Sequence, residues 1–349
     1  MLNFEPTAGA LTCPYCGFVE KIDPAASGFE EHDFQQYLSK QAEHTPVEGH
    51  SSEVRCDGCG AVVLLEDKVA TDRCPFCGAA LTNAPQAAQT MIAPESLLPM
   101  AVSKAQAIAS FNQWIAGRWF APTELKRFAN LGQLFGIYVP YWTYDSMTYT
   151  QYAGMRGDDY SETETYVATN SQGQSETRTR LVTRTVWSPV GGRVDHFFDD
   201  VLVCASKSLP EHLVSSLSPW DLKALVGFKA DYLAGFKTER YGVALGEGFN
   251  KARAIMDETI RQLCCQEIGG NHQNLTSVNT QHVGVTFKHL LLPIWLAAYR
   301  YQNETYRILV NARTGRLVGT RPYSWIKIAA LVMAILALVI VVVLASNQN

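Results

Sequence analysis

The chain has little net charge. Its 29 lysines and arginines stand against 33 aspartates and glutamates, a formal balance of −4 over 349 residues. A molecule so balanced has no electrostatic claim on nucleic acid as a whole. No GxxxxGK[ST] loop, no GxSxG and no HExxH is present. These absences exclude phosphate-loop nucleotide hydrolysis, serine-elbow hydrolysis and zincin proteolysis. Gly246-Glu-Gly248 lacks the third glycine of a dinucleotide loop. No apolar run opens the sequence in the manner of a secretory signal. Charged residues are few, at 18%, and apolar ones many, at 47%, which excludes a disordered chain. A chain of this length has room for two domains and a core that needs no disulfide staples.

Cysteine is the first informative presence. Six of the nine fall in CxxC pairs, each followed by glycine: Cys13/Cys16, Cys56/Cys59 and Cys74/Cys77. This spacing reads as metal binding in a reducing compartment rather than as a disulfide framework. Cys56-Asp-Gly-Cys59-Gly60 and Cys74-Pro-Phe-Cys77-Gly78 frame Ala61–Leu65, which reads as a strand, and Glu66-Asp-Lys68, which reads as a turn. Two residues between cysteines let both sulfurs reach one ion from a tight knuckle, and the glycine supplies the positive φ that closes it. Cys56, Cys59, Cys74 and Cys77 are therefore predicted to hold one Zn²⁺ as a zinc ribbon. Between Cys56 and Cys77 lie Asp57, Glu66, Asp67 and Asp72 against Lys68 and Arg73, a surface that repels phosphate. Nucleic acid is thus an unfavoured partner.

Cys13 and Cys16 form a half-site. His32, His44 and His50 are candidates to complete it, although each reads more readily as a solvated surface histidine. Residues 2–12 read as strand, turn and strand, as the interior of a ribbon should, so the sequence is expected to open inside one. Cys204, Cys264 and Cys265 read as buried thiols.

The second presence is a long hydrophobic run. Ile328–Ala345 contains no charge, proline or glycine. At 1.5 Å per residue it spans about 27 Å, and Ile326 and a snorkelling Lys327 extend it. Ile328, Leu331, Leu336, Val341 and Leu344 are expected to face lipid, with Tyr323, Trp325 and Lys327 as interfacial anchors. Charge is polarised along the chain. Residues 1–90 carry 13 acidic and 5 basic side chains, whereas from Thr305 onward five basic residues meet no acid. The basic flank precedes the run, so the positive-inside rule predicts a single-pass protein of the inner membrane with its N-terminal bulk cytoplasmic.

The middle of the chain reads as mixed. Ser103 caps an amphipathic helix to Gly117, with Ile108, Phe111, Trp114 and Ile115 on one face. Residues 134–152 read as an aromatic strand. Tyr160–Trp187 reads as a hairpin turning at Ser171-Gln-Gly-Gln, with Glu162 and Glu164 opposite Arg178, Arg180 and Arg184. Helices are expected at Glu211–Leu217, Pro219–Val226 and Gly246–Glu267, the last ending at Gly269-Gly270. Val139-Pro-Tyr-Trp142 and Leu292-Pro-Ile-Trp295 form an internal echo, and Asn311–Gly315 reads as a hairpin turn. Asp195, His196, Asp199 and Asp200 make the best acid–base cluster, though they read foremost as a solvated turn.

The expected organisation is α+β. A partial first zinc ribbon with a polar helix or loop occupies 1–50, a zinc ribbon with rubredoxin-like knuckles 51–82 and a linker 83–102. A mixed domain with antiparallel strands follows at 103–322, and a single C-terminal transmembrane helix at 323–346.

These motifs together resemble a family of bacterial membrane proteins described as TFIIB-type zinc-ribbon-containing, often labelled primosomal protein N-prime (replication factor Y), superfamily II helicase. The likeness rests on the two paired knuckles, Tyr138–Trp142, Phe198–Val203, Pro219–Leu222, Phe287–Trp295 and Val310–Gly315. In that family an upstream CxxCG pairs with the knuckle matched by Cys13–Gly17; this sequence lacks it. The resemblance implies a membrane-tethered protein with phage-shock or stomatin-like partners. The helicase label finds no phosphate loop here to support it. The sequence reading is a non-enzymatic, tail-anchored scaffold. Its alternatives are a nucleic-acid-associated accessory protein using the ribbon, and a hydrolase at the Asp/His cluster.

Overall fold

The computed structural model describes residues 2–23, 31–41, 52–65, 73–81, 83, 86–87, 91–120, 134–169, 173–301 and 304–346. Strands β1 (Asn3–Glu5), β2 (Ala10–Thr12) and β3 (Val19–Lys21) pair antiparallel into a small sheet. Next come β4 (His32–Asp33), α1 (Phe34–Gln41), β5 (Ser52–Arg55), β6 (Val62–Leu65), β7 (Gln86–Ala87), β8 (Ser96–Leu97) and α2 (Lys104–Ala116). Two long strands, β9 (Phe135–Thr169) and β10 (Ser175–Cys204), precede the short α3 (Glu211–Ser215). The chain closes with β11 (Val226–Gly227), β12 (Lys237–Glu239), α4 (Leu245–Ile268), β13 (His272–Tyr301), β14 (Glu304–Asn311), β15 (Leu317–Gly319) and α5 (Trp325–Ser346). The fold is α+β, with one large mixed sheet, five helices among the described residues and an apolar last helix.

β9 changes character along its length because its surroundings change. Every residue from Gly136 to Ser146 is buried, and the sequence there is a near-continuous apolar and aromatic run. Such a run needs cover on both faces. Ile137, Val139 and Tyr141 pack with Leu290, Leu292 and Ile294 of β13 and with α3. Tyr138, Leu291 and Trp295 meet Ala107, Phe111 and Ile115 of α2. Further along, Trp142, Tyr144 and Phe287 meet Ala252, Met256, Ile260, Cys264 and Ile268 of α4. Those five α4 residues recur every fourth position, which places them on one stripe. Burying each larger side chain contributes about 1.5–3 kcal/mol. Beyond Met147 burial alternates, and the last strand residues stand mostly in solvent, where the sequence turns to Thr, Ser and Glu.

β9 and β10 are one antiparallel hairpin, not a separate strand and arm, with Tyr141 opposite Cys204 and Thr169 opposite Ser175. Glu164 accepts from Arg180 at 2.7 Å and Glu162 from Arg184 at 2.9 Å, as the opposed charges suggest. The expected turn begins outside the described residues; Gly173 has φ 80°. Asp195–Asp200 is not a solvated turn. It lies within β10, which bulges between Phe198 and Val201.

The Pro-x-Trp echo has a local cause. Pro140 lies opposite Leu291 and Pro293 opposite Tyr138 on the paired strands. At Pro140 the outer neighbour of β9 changes from β12, which pairs Ile137 and Tyr138, to β10, which begins at Tyr141. At Pro293 the outer neighbour of β13 changes from β8, at Leu290 and Leu291, to β14, from Ile294. A residue without an N–H fits where no ladder bond is made.

Other expectations shift. Ser103 caps α2 through a reciprocal capping box with Gln106. The helix expected at Pro219–Val226 is only a 3-10 turn at Leu222–Ala224. The end of the 83–102 segment is core rather than free linker: β8 is buried between β11 and β13, and Leu97, Leu98 and Met100 are within 1% of full burial. Cys264 is buried, whereas Cys204 and Cys265 are only partly so.

Gly248 packs where α4 touches β9. A Cβ there would lie 2.4 Å from Tyr144 Oη, which donates to Leu245 O at 2.6 Å, and 2.8 Å from Trp142 Cδ1. Gly246, one residue pair earlier, has nothing within 4 Å of its notional Cβ. Gly248→Ala should therefore destabilise the chain by about 1–3 kcal/mol. Gly246→Ala should change it by less than about 1 kcal/mol. Denaturant unfolding of the full chain in detergent checks this, and equal midpoints would contradict the packing.

Candidate metal centre

All three CxxC knuckles fold alike. The N–H of Cys56 donates to Ala61 O at 2.9 Å and that of Gly60 to Cys56 O at 2.8 Å. Cys74 donates to Ala79 O and Gly78 to Cys74 O at 2.8 and 2.9 Å, and Cys13 donates to Phe18 O and Gly17 to Cys13 O at 2.9 and 3.0 Å. Gly17, Gly60 and Gly78 have φ 72°, 75° and 72°, so each knuckle needs its glycine.

Two of the knuckles meet. Cys56 Sγ lies 3.6 Å from Cys77 Sγ, and Cys59 Sγ 3.7 Å from Cys74 Sγ. The four sulfurs lie within 4.8 Å of one another and are placed to hold one metal ion. A Cβ at Gly58 would come within 3.3 Å of Cys77 Sγ, so glycine leaves the room the sulfurs use. The centre is built into the main body. β5 and β6 join the large sheet through β12. Cys56, Cys74, Cys77 and Phe76 belong to the same apolar cluster as Ile137 and Leu292. Arg307 Nε of β14 donates to Phe76 O at 2.9 Å.

Without a metal the four thiols cannot all ionise in so small a space. The hydrogen bond from Cys74 holds Cys59 down at about 5, and the same bond pushes Cys74 well up. Burial raises Cys77 to about 11. Behind the centre, buried Glu239 accepts from Ser208 Oγ at 2.5 Å, and burial lifts its carboxyl to about 7.

The Cys13 knuckle stands apart. Cys16 is exposed and Cys13 partly so. Tyr15 is 92% exposed, whereas Phe76, at the matching place in the third knuckle, is fully buried. Among the described residues no third ligand joins the pair. His32 instead sits 2.8 Å from Glu95, and His44 and His50 lie outside the described residues.

The Asp/His cluster is split by the strand. Asp195 pairs with Arg193 at 2.8 Å and His196 packs edge-on against Phe198. Asp199 and Asp200 meet Asp145, which the sequence reading missed, at the bulge. Asp200, with φ 52°, donates its N–H to Asp145 Oδ1 at 2.5 Å. Lys288 reaches into this group from β13, 2.8 Å from Asp200, 3.3 Å from Glu31 and 3.8 Å from Asp145. Burial raises the Asp145 carboxyl. Burial opposes the Lys288 charge as well, but its bond to Asp200 and the neighbouring carboxylates carry it upward overall. Only the tertiary pairing of β9, β10 and β13 could reveal these partners.

At the other end, α5 is 22 residues long, and its most apolar 18-residue stretch has mean hydropathy 3.4 and is 0% buried. The helix is long and apolar enough to cross a membrane. Ile328, Leu331, Leu336, Val341 and Leu344 all lie on it. At its foot Tyr323 and Trp325 are exposed and Lys327 Nζ donates to Trp119 O at 3.2 Å. Trp119, 73% exposed, joins this aromatic belt from the segment after α2.

No family model and no solved structure matches the chain. The chain is 25% identical over 246 residues to Uncharacterized protein YdjG of Bacillus subtilis (strain 168), covering 68% of this chain and 67% of that one. The relative's name states no activity.

Two outcomes follow from the site. Metal entry must expel the protons the thiols retain, so affinity should fall as pH is lowered and binding should release protons into a weakly buffered solution. Isothermal titration of the stripped chain in two buffers reads this directly. Lys288→Met leaves Asp145, Asp200 and Glu31 unneutralised and should destabilise the fold by about 3–5 kcal/mol. Without the lysine charge the buried Asp145 carboxyl would be raised further in the folded state, so stability should recover as pH falls from 8 toward 5. Unfolding midpoints at both pH values test the sign.

Proposed function

We propose that this chain is a membrane-anchored zinc-ribbon protein that presents a rigid α+β body to partner proteins at the cytoplasmic face of the membrane and performs no chemistry of its own. The carrying observation is the closed four-cysteine centre fused to the core. A tetrahedron with Zn–S bonds of about 2.3 Å has edges of about 3.8 Å, close to the 3.6 and 3.7 Å sulfur separations. An all-sulfur donor set favours zinc over magnesium or calcium. Four protein ligands leave no position for water or substrate, which is the arrangement of a structural rather than a catalytic zinc.

The α5 helix, which has no buried residue, supports a lipid anchor, since so much apolar helix surface left in water would be costly. The basic residues before it support a cytoplasmic body in an inner membrane. The protruding β9–β10 hairpin, with both faces in solvent at its end, offers a surface for protein partners. The family resemblance supports phage-shock or stomatin-like proteins as the first partners to seek. The nucleic-acid reading gains nothing from the acidic ribbon, and the hydrolase reading gains nothing from an acid cluster whose Asp145 and Asp200 are engaged by Lys288.

Membrane flotation and metal analysis of the full chain test this reading. The protein should float with vesicles and resist carbonate extraction, and Leu336→Lys should lower insertion by an amount equivalent to about 2.5–3.5 kcal/mol. About one zinc per chain is expected, retained in Cys13→Ser and lost in Cys56→Ser. Soluble recovery of the unaltered chain, or zinc retained in Cys56→Ser, would overturn it.

A further inference from the structure

A second site lies at the foot of α5. The chain segment after α2 comes back against the segment between β15 and α5: Ser324 N–H donates to Phe120 O at 2.8 Å. The junction encloses an open cavity of about 540 Å³ lined by Trp114, Arg118, Gly319, Arg321 and Tyr323. Among the described residues no acidic side chain lines it. Both arginines are held on aromatic rings. The Arg118 guanidinium sits 5.3 Å from the Trp114 ring centre, and that of Arg321 5.2 Å from Tyr323. Neither forms an ion pair among the described residues, and Arg321 Nη1 is enclosed with no hydrogen-bond partner.

Two guanidinium groups line one cavity, exposed Arg118 and Arg321 with its unmet N–H, and guanidinium donors match the oxygens of a phosphate. The position selects the source of that phosphate. Exposed Trp119, Tyr323 and Trp325 surround the same junction, where headgroups meet an apolar helix. We propose that Arg118 and Arg321 hold the phosphate of an anionic phospholipid headgroup, so that the cavity fixes the body against the bilayer surface while α5 crosses it. This rests on the membrane reading above. The orienting contact would be charge-dependent, whereas insertion of α5 would not.

The test uses the full chain in a neutral detergent, with phosphatidylglycerol or phosphatidylcholine added, and native mass spectrometry to count retained lipid. Phosphatidylglycerol should be retained preferentially, and the Arg118→Gln/Arg321→Gln pair should reduce that preference about tenfold. Arg316→Gln, which changes a basic residue of the neighbouring β14–β15 turn that does not line the cavity, should leave it intact. Equal retention of the two lipids, or a preference unchanged by the double substitution, would overturn the site. Displacement of the lipid by millimolar inorganic phosphate would assign it to a free anion instead and also overturn the proposal. Flotation with pure phosphatidylcholine vesicles separates the two readings. Its failure sinks the anchor, whereas normal flotation without lipid preference sinks only the arginine site.

Discussion

The pairing of β9 with β13 constrains the rest of the molecule, because these strands are covered on both faces over their inner halves. From Phe135 opposite Leu296 to Asp145 opposite Thr286, the pair runs through the body with α2, α3, α4, β5 and β6 packed around it. A strand buried on both sides fixes its register closely, since a slip by one residue would exchange the contents of the two cores. Trp142 and Tyr144 show how far this goes. Their polar atoms donate to Val243 O and Leu245 O, so the start of α4 is tied to β9 at two points.

The four-cysteine centre belongs to this same arrangement. Its sulfurs sit in the apolar cluster that covers one face of β9 and β13, and β6 reaches the main sheet through β12. A metal there would bind to the folded body and not to a loosely appended module, which couples its binding energy to the packing of the sheet. The Cys13 knuckle has the same backbone bonds but none of this cover, and its aromatic residue faces solvent. Local sequence makes a knuckle; burial against a second knuckle makes a site.

The two ends of the molecule divide the remaining work. The outer β9–β10 hairpin carries its charges as cross-strand Arg–Glu pairs on one face, with Thr, Ser, Val and Leu on the other. Exposed pairs of this kind contribute little stability individually. They suit a surface that stays in water while keeping its strands in register. At the opposite end the aromatic and basic belt gathers residues from the α2 side and from the approach to α5. The aromatic and basic residues at the foot of α5 are therefore not confined to the helix that carries the hydropathy signal.

What the sequence determined by itself is local. The Cys-x-x-Cys-Gly spacing dictates knuckles because two residues and a left-handed glycine close the turn without outside help. The Ser103–Gln106 capping box and the Gly269 stop mark helix ends through bonds made within a few residues. The apolar run of α5 is a property of composition alone. The aromatic run of residues 136–146 reported burial but not what covers it. Tertiary structure alone decided that β5 and β6, beside the four-cysteine centre, extend the main sheet, that Asp145 and Lys288 join Asp200, and that Trp119 and Arg118 stand beside Tyr323 and Arg321. Each of these depends on residues brought together across tens to hundreds of positions, through backbone pairing whose partners no local pattern encodes.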